Sequence, residues 1–347
     1  MLKKRMSLST ASGSSVDIGE KSPNKHMLFT GISGSGKSVC MQKHELQSAQ
    51  NGAKVVVFDI SYCRENNQIF QSLKDEYCAR INLINVKEDG LNLAFLRPMQ
   101  SHDGRSEDFV NVVESAVSAL GSSQRFGVRQ NAALRNAIIF AIEHFAEYPS
   151  EIISIGVGLL QQKDPIAQGV YERLWTVFNQ NIFRNSTANL IEGRINIISF
   201  SDMDDVSRRV YMDILLTYLW RVFRYYGHIG GQKIIISIDE FQNIGLREGS
   251  VLWDMLREGR KFGVGLMLAT QTLSIFPRTT QSVLNQVGTR LFFQQAANEI
   301  YDVAKTIDPV NKEHWVSVLS SLQVGEAVAV GNFEVNGNAV DHPILIK

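Results

Sequence analysis

The sequence predicts an α/β fold with a mostly parallel sheet organised around a phosphate-binding loop, and three observations predict it. Residues 31–38, Gly-Ile-Ser-Gly-Ser-Gly-Lys-Ser, fit the pattern G-x-x-x-x-G-K-[ST]. A short apolar strand at 27–30 precedes this octet, and a helical stretch over 38–49 follows it. Residues 54–60, Lys-Val-Val-Val-Phe-Asp-Ile, are β-branched and almost continuously apolar, as a parallel strand covered on both faces must be. Strand, glycine loop, helix and strand together open a parallel α/β sheet.

The octet has a chemical reading at each position. Glycines let the backbone wrap a phosphate chain with its N–H groups inward, and the following helix points its N-terminus at the same charge. The candidate nucleotide cradle is Gly31, Ser33, Gly34, Ser35, Gly36, Lys37, Ser38 and Val39. Within it the Lys37 ammonium would reach the outer phosphates and the Ser38 hydroxyl would ligate Mg²⁺.

Composition narrows the classes. The 347 residues are 44% hydrophobic and 20% charged, which is ample for a packed core. Thirty-five basic residues balance 35 acidic ones, so no global charge favours nucleic acid, and a polyanion site has to be a local patch or a ring of loops. Cys40, Cys63 and Cys78 are too few and too unpatterned for a disulfide framework or a zinc site, and read as reduced thiols of a cytoplasmic protein. The basic start lacks the apolar stretch of a signal peptide. The apolar run at 152–160 falls well short of the roughly 20 residues a membrane span needs, so no membrane insertion is expected.

Along the chain, residues 1–25 are polar and read as a flexible lead-in with a short edge strand at 16–18. Residues 26–99 and 194–347 read as the core, interrupted by a helical insertion at 100–193. There Phe109, Val112, Val113, Ala116, Val117 and Leu120 recur at helical spacing. Polar stretches at 101–106 and 121–130 read as loops; the second carries Arg125, Phe126 and Arg129 and reads first as a surface turn, with a pore loop as the alternative. The sheet resumes at 194–200. Asp204 or Asp205 then caps a helix with the stripe Val206, Val210, Ile214, Leu215, Leu219 and Val222. Further strands are expected at 233–238, 264–270, 289–294 and 326–330, with Asn336-Gly337 turning a terminal hairpin that ends at 344–346. Trp175, Trp220, Trp253 and Trp315 lie on apolar helical faces and read as core or interface.

The strand at 233–238 ends in Asp239-Glu240, and ligands of parallel sheets sit at the carboxyl ends of strands. Two acids suit two tasks, one supporting the metal and one acting as general base on the attacking water. Gln271 ends the strand at 264–270, where its amide could bond the γ-phosphate or the water. Between these strands, residues 256–263 (Leu-Arg-Glu-Gly-Arg-Lys-Phe-Gly) form a basic helix end. It serves either as simple dipole compensation or as an arginine finger delivered across a subunit interface. Asn311-Lys312-Glu313-His314 lacks the aspartate that reads guanine and reads as a helix start after Asp308-Pro309, while His44-Glu45 lacks the second histidine of a metalloprotease helix and reads as a solvated helix face.

These motifs, in this order, resemble the HerA/FtsK superfamily of P-loop ATPases, and its HerA-like branch most of all. The likeness rests on residues 31–38, 236–243, 256–263, 266–271 and 325–331 and spans about residues 16–346. It implies a RecA-like ATPase core using ATP and Mg²⁺. It also implies a homohexameric ring that translocates on or unwinds DNA, with double-stranded DNA the expected partner, alongside a nuclease or other effector protein. Position by position it implies that Lys37 and Ser38 bind phosphates and Mg²⁺, that Asp239 supports the metal, and that Glu240 is the catalytic base. Gln271 becomes the sensor and Arg260 the trans-acting finger, with Arg257 second and Arg290 third. With about 30 residues before the phosphate loop, the sequence reads as a motor core without the N-terminal β-barrel of HerA. An ATPase of a secretion or conjugation apparatus and a nucleotide-gated scaffold are the alternatives.

Overall fold

In a computed structural model, the described residues are 8–9, 15–18, 24–60, 71, 81–101, 103–121, 124–180, 182–183, 190–191, 193–201, 203–226, 234–331, 333–336, 338–340 and 342–347. Cys63 and Cys78 lie outside them. Thirteen strands occur among these residues: β1 Leu8–Ser9, β2 Ser15–Ile18, β3 Met27–Thr30, β4 Lys54–Asp59, β5 Ile81–Asn85, β6 Ile195–Ser199, β7 Ile234–Ile238, β8 Val264–Thr270, β9 Thr289–Phe292, β10 Ala327–Gly331, β11 Phe333–Val335, β12 Asn338–Val340 and β13 Ile344–Ile346. Nine form one sheet in the order β13-β10-β9-β3-β8-β7-β4-β6-β5. From β9 to β5 every pairing is parallel; β10 and β13 add an antiparallel edge. The protein is therefore α/β with a mostly parallel sheet.

The sheet is covered on both faces, which explains why its central strands read as unbroken apolar runs. Alternate residues of one strand enter different cores. Leu28, Val56 and Phe58 join one buried cluster, while Met27, Phe29, Val55 and Val57 join another. The helix Lys37–Gln50 covers the second face with Cys40, Met41, Leu46 and Ala49. The first face is covered by the long helix Asp205–Tyr226, whose start is capped by Asp204 accepting from the N–H groups of Val206 and Ser207. Five helices, Phe109–Gly121, Val128–His144, Glu151–Gln161, Pro165–Arg173 and Trp175–Asn179, lie between β5 and β6. Their apolar faces merge with the sheet core, since Leu134, Ile155 and Phe178 share one cluster with Phe58 and Ile238. A buried ion pair ties the segment before the helix Phe109–Gly121 to the helix Asp205–Tyr226: Arg221 donates to Glu107 at 2.6 Å and to the carbonyls of Phe95 and Arg97.

Several expectations need correction. The lead-in at 1–25 contributes β1 and β2, which form a separate antiparallel sheet with β11 and β12 in the order β1-β2-β11-β12, and Val16 is buried. Asn336 does turn a hairpin at φ 50°, but its strands are β11 and β12. Residues 344–346 return to pair with β10 in the large sheet instead. Strand β5 was not anticipated. Trp220 and Trp253 are core residues, whereas Trp175 is 54% exposed. Phe126 is buried beneath the guanidinium of Arg173, 4.7 Å from its ring centroid, and is not presented to solvent as a stacking platform.

Candidate nucleotide site

The strand register brings the predicted groups together. Thr30, the last residue of β3, pairs with Thr270 of β8 and Phe292 of β9, and Ile238 at the end of β7 pairs with Leu268. The segments after β3, β7, β8 and β9 therefore leave one edge of the sheet side by side. They carry the glycine loop, Asp239-Glu240, Gln271 and Gln294 respectively.

The loop needs its glycines. Gly31, Gly34 and Gly36 have φ of 149°, 78° and 104°. A Cβ on Gly31 would lie 2.7 Å from the Gln294 carbonyl oxygen, and one on Gly36 would lie 3.1 Å from the backbone of Gly325. Those two neighbours brace the loop from outside: the N–H of Ile32 donates to the Gln294 carbonyl at 2.7 Å, and that of Gly325 to the Ser35 carbonyl at 3.0 Å. Ser33 and Gly34 stand exposed at the tip, Ser35 is buried, and Val39 is half-buried in the first turn of the helix.

Lys37 is buried and folds back over the loop, donating to the carbonyls of Gly31 at 2.5 Å and Ile32 at 2.9 Å. Burial lowers its pKa, and the carboxylates of Glu240 and Asp239 oppose that shift. Ser38 donates to Asp239 Oδ2 at 2.7 Å, joining the phosphate loop to the end of β7. A hydroxyl and a carboxylate in contact beside the glycine loop are hard oxygen donors that suit Mg²⁺ shared with phosphate oxygens.

Glu240 adopts a left-handed conformation, φ 53° and ψ 44°, which costs a non-glycine residue on the order of 1–3 kcal/mol. Its surroundings hold it there. Its N–H donates to Asp239 Oδ1 at 2.9 Å, Gln242 donates to its Oε2, and Gln271 donates to its Oε1 at 2.9 Å. The next residue, Phe241, is fully buried and stacks on Phe276, with ring centroids 5.1 Å apart, tying the loop after β7 to the loop after β8. Base and sensor candidates thus meet in one hydrogen bond, in a geometry that could hold and deprotonate a water facing the phosphates.

The structure does not bring Arg257 and Arg260 to this edge. Both are exposed near the amino end of β8, where they line a pocket of about 240 Å³ with Asn24, His26 and Gln286. Arg290 is half-buried on β9 above the Phe292 ring. Sequence reasoning missed Gln294 and Gln295. Gln295 donates to the carbonyls of Thr30 and Phe293 at 3.0 and 2.7 Å, fixing how the chain leaves β3 and β9. The paired amides directly after an apolar strand were the available signal. Cys40 is buried behind the loop with its thiol pushed up to about 12, so it is an inert core residue.

Comparisons with known proteins agree with the fold. The chain is 23% identical over 346 residues to the probable helicase MJ1565 of Methanocaldococcus jannaschii, covering 89% of this chain and 60% of that protein. It is 22% identical over 344 residues to the DNA double-strand break repair helicase HerA of Saccharolobus solfataricus, covering 88% and 62%. It thus spans about three fifths of the curated relatives it matches. Among solved structures, VirB4 of Thermoanaerobacter pseudethanolicus superposes with a TM-score of 0.73 at 15% identity, over 98% of this chain and 94% of that one. The plasmid coupling protein TrwB in complex with ADP and Mg²⁺ superposes with a TM-score of 0.65 at 12% identity, over 99% and 90%. No family model matches the chain. No helix among the described residues is long and apolar enough to cross a membrane.

Proposed function

Starting from a chain that is distantly homologous to the HerA and MJ1565 helicases and folds as a HerA/FtsK-type P-loop ATPase, we propose that it hydrolyses ATP with Mg²⁺ to drive movement on DNA. The observation that carries the hydrolytic part is the contact of three segments at one sheet edge. Ser38 bonds Asp239, and Gln271 bonds Glu240, beside the glycine loop. In this reading Lys37 holds the outer phosphates, Ser38 and Asp239 hold Mg²⁺, Glu240 takes the proton of the attacking water, and Gln271 orients that water. The bound Mg²⁺ would neutralise charge developing on the phosphates.

The DNA part rests on the distant helicase relatives. The working unit would be a homohexamer in which Arg260, with Arg257 second, reaches the nucleotide of a neighbouring copy. A nuclease or other effector would use the movement to process DNA or to act on foreign DNA. With zero net formal charge, grip on the polyanion would come from a few basic side chains repeated around a ring, and it would weaken steeply with salt. The test is particle mass with ATP turnover, with and without linear double-stranded DNA, on the wild type and Lys37→Ala. A hexamer whose DNA-stimulated turnover vanishes in Lys37→Ala supports the proposal. A wild type that turns over no faster than Lys37→Ala refutes the hydrolytic part, and turnover indifferent to DNA refutes the DNA part.

A further inference from the structure

Beyond the groups already placed at the site, one buried acid stands behind the sensor loop. Glu299 precedes the helix Ile300–Ile307 and is only 3% exposed. It points across to the segment after β8. Its Oε2 accepts from the N–H of Leu273 at 3.1 Å, and its Oε1 accepts from the hydroxyl of Thr272 at 2.5 Å. Burial would raise its carboxyl, yet hydroxyls of Ser274 and Thr272 and the N–H groups of Leu273 and Ser274 hold it below the usual carboxylate range. It is therefore an anion at neutral pH, bound by several donors of one short loop.

That loop begins at Gln271. Thr270, just before it, is fully buried, and its hydroxyl donates to the Thr272 carbonyl at 3.1 Å, while its own carbonyl accepts from Gly31 N–H at 3.3 Å. The residue whose amide bonds Glu240 is thus bracketed: Thr270 locks it to the phosphate loop on one side, and Glu299 locks residues 272–274 on the other. A sharp chain reversal carrying a reporter amide needs such a brace, because displacement of about 1 Å at a reacting centre can cost about a hundredfold in rate.

We infer that Glu299 is a positioning residue for hydrolysis, holding the loop 272–274 so that Gln271 meets Glu240 and the attacking water. This rests on the ATPase reading above and deepens it. Glu299 makes its hydrogen bonds to Thr272 and Leu273 rather than to the glycine loop or Asp239, so its loss should separate turnover from nucleotide binding. The chemistry of the bracket also predicts which replacement rescues it. A glutamine keeps one acceptor for Leu273 N–H, and its amide can donate to the Thr272 hydroxyl, which accepts as readily as it donates. Alanine keeps neither bond.

The experiment measures steady-state ATP turnover and, separately, binding of a fluorescent ADP analogue to the full chain. It compares wild type, Lys37→Ala, Glu299→Ala, Glu299→Gln and Thr272→Val. Glu299→Ala should lower kcat about tenfold or more with analogue affinity held within about twofold, and Glu299→Gln should recover most of the loss. Thr272→Val, which removes one arm of the bracket, should fall between them and keeps the test open should Glu299→Ala fail to fold. Turnover of Glu299→Ala and Thr272→Val within about twofold of wild type overturns the inference, as does an equal loss of binding and turnover. A wild type no faster than Lys37→Ala sinks the ATPase reading and this inference with it. Normal wild-type turnover with an insensitive Glu299 sinks this inference alone.

Discussion

The carboxyl edge of the sheet and its amino edge carry opposite kinds of polar residue. At the carboxyl edge, Ser38, Asp239, Glu240 and Gln271 come from three separate loops and are already joined by hydrogen bonds within one chain, with Lys37 bonded to the glycine loop beside them. At the amino edge, Arg257 and Arg260 project into solvent around a polar pocket. Strand β8 separates the two sets, and its seven residues extend over about 20 Å. No side chain bridges that span. On the proposed reading one chain would therefore bind and orient the nucleotide, while any guanidinium contribution from Arg260 would have to come from a second copy that presents its amino edge to the first.

That contrast can be broken experimentally, and the largest expected effect is at the carboxyl edge. Lys37→Ala removes the ammonium that bonds the Gly31 and Ile32 carbonyls, and turnover should fall to background in a phosphate-release assay. Arg260→Ala should lower turnover by about a thousandfold if it acts as a finger, while leaving analogue binding intact. Mixing it with Lys37→Ala subunits should restore activity, because each copy then repairs the edge the other lacks. A mixture that stays inactive would place Arg260 outside the chemistry. Glu240→Gln should cost about a hundredfold or more in turnover yet keep ATP bound, measured as nucleotide retained after rapid gel filtration.

A smaller effect concerns acid stability. His26 and His44 are buried neutral, with burial lowering each pKa to about 4. The unfolded chain binds these protons from about pH 6.5 downward and the folded chain only near pH 4, so stability should rise with pH across that window and decline on acidification. His26 Nδ1 accepts from Leu266 N–H at 3.0 Å. His26→Asn, which retains an acceptor without a titrating ring, should flatten the fall of Tm between pH 6.5 and 4 in a thermal melt series.

What the sequence made legible follows the same division. Strands β3, β4, β7 and β8 announce themselves because both faces are buried, and the loops at their carboxyl ends carry residue types with few other uses in that order. Strand β5 (Ile-Asn-Leu-Ile-Asn) lies at the sheet edge with Leu83 39% exposed, so its mixed pattern resembles a loop. The pairing of β2 with β11 joins segments more than 300 residues apart, which no local period can encode. The left-handed turn at Glu240 was invisible because Glu is an unusual choice there, held by Phe241 and its neighbours rather than by its own preference. Glu299 went unnoticed for a related reason. A single acid between Asn298 and Ile300 reads as helix surface until the fold turns it inward against the sensor loop.

The small sheet shared by β2 and β11 also constrains the order in which the molecule can be completed. Strand β2 is made more than 300 residues before β11, so its pairing with β1 leaves its other edge open while the large sheet between them in sequence is being synthesised. Closing so long a loop costs only a little more than closing a short one, because the entropy grows with the logarithm of length. The penalty is instead one of waiting. Until β11 emerges, the nascent chain carries an unpaired strand edge on β2, and β11 acts as the clasp that shuts it.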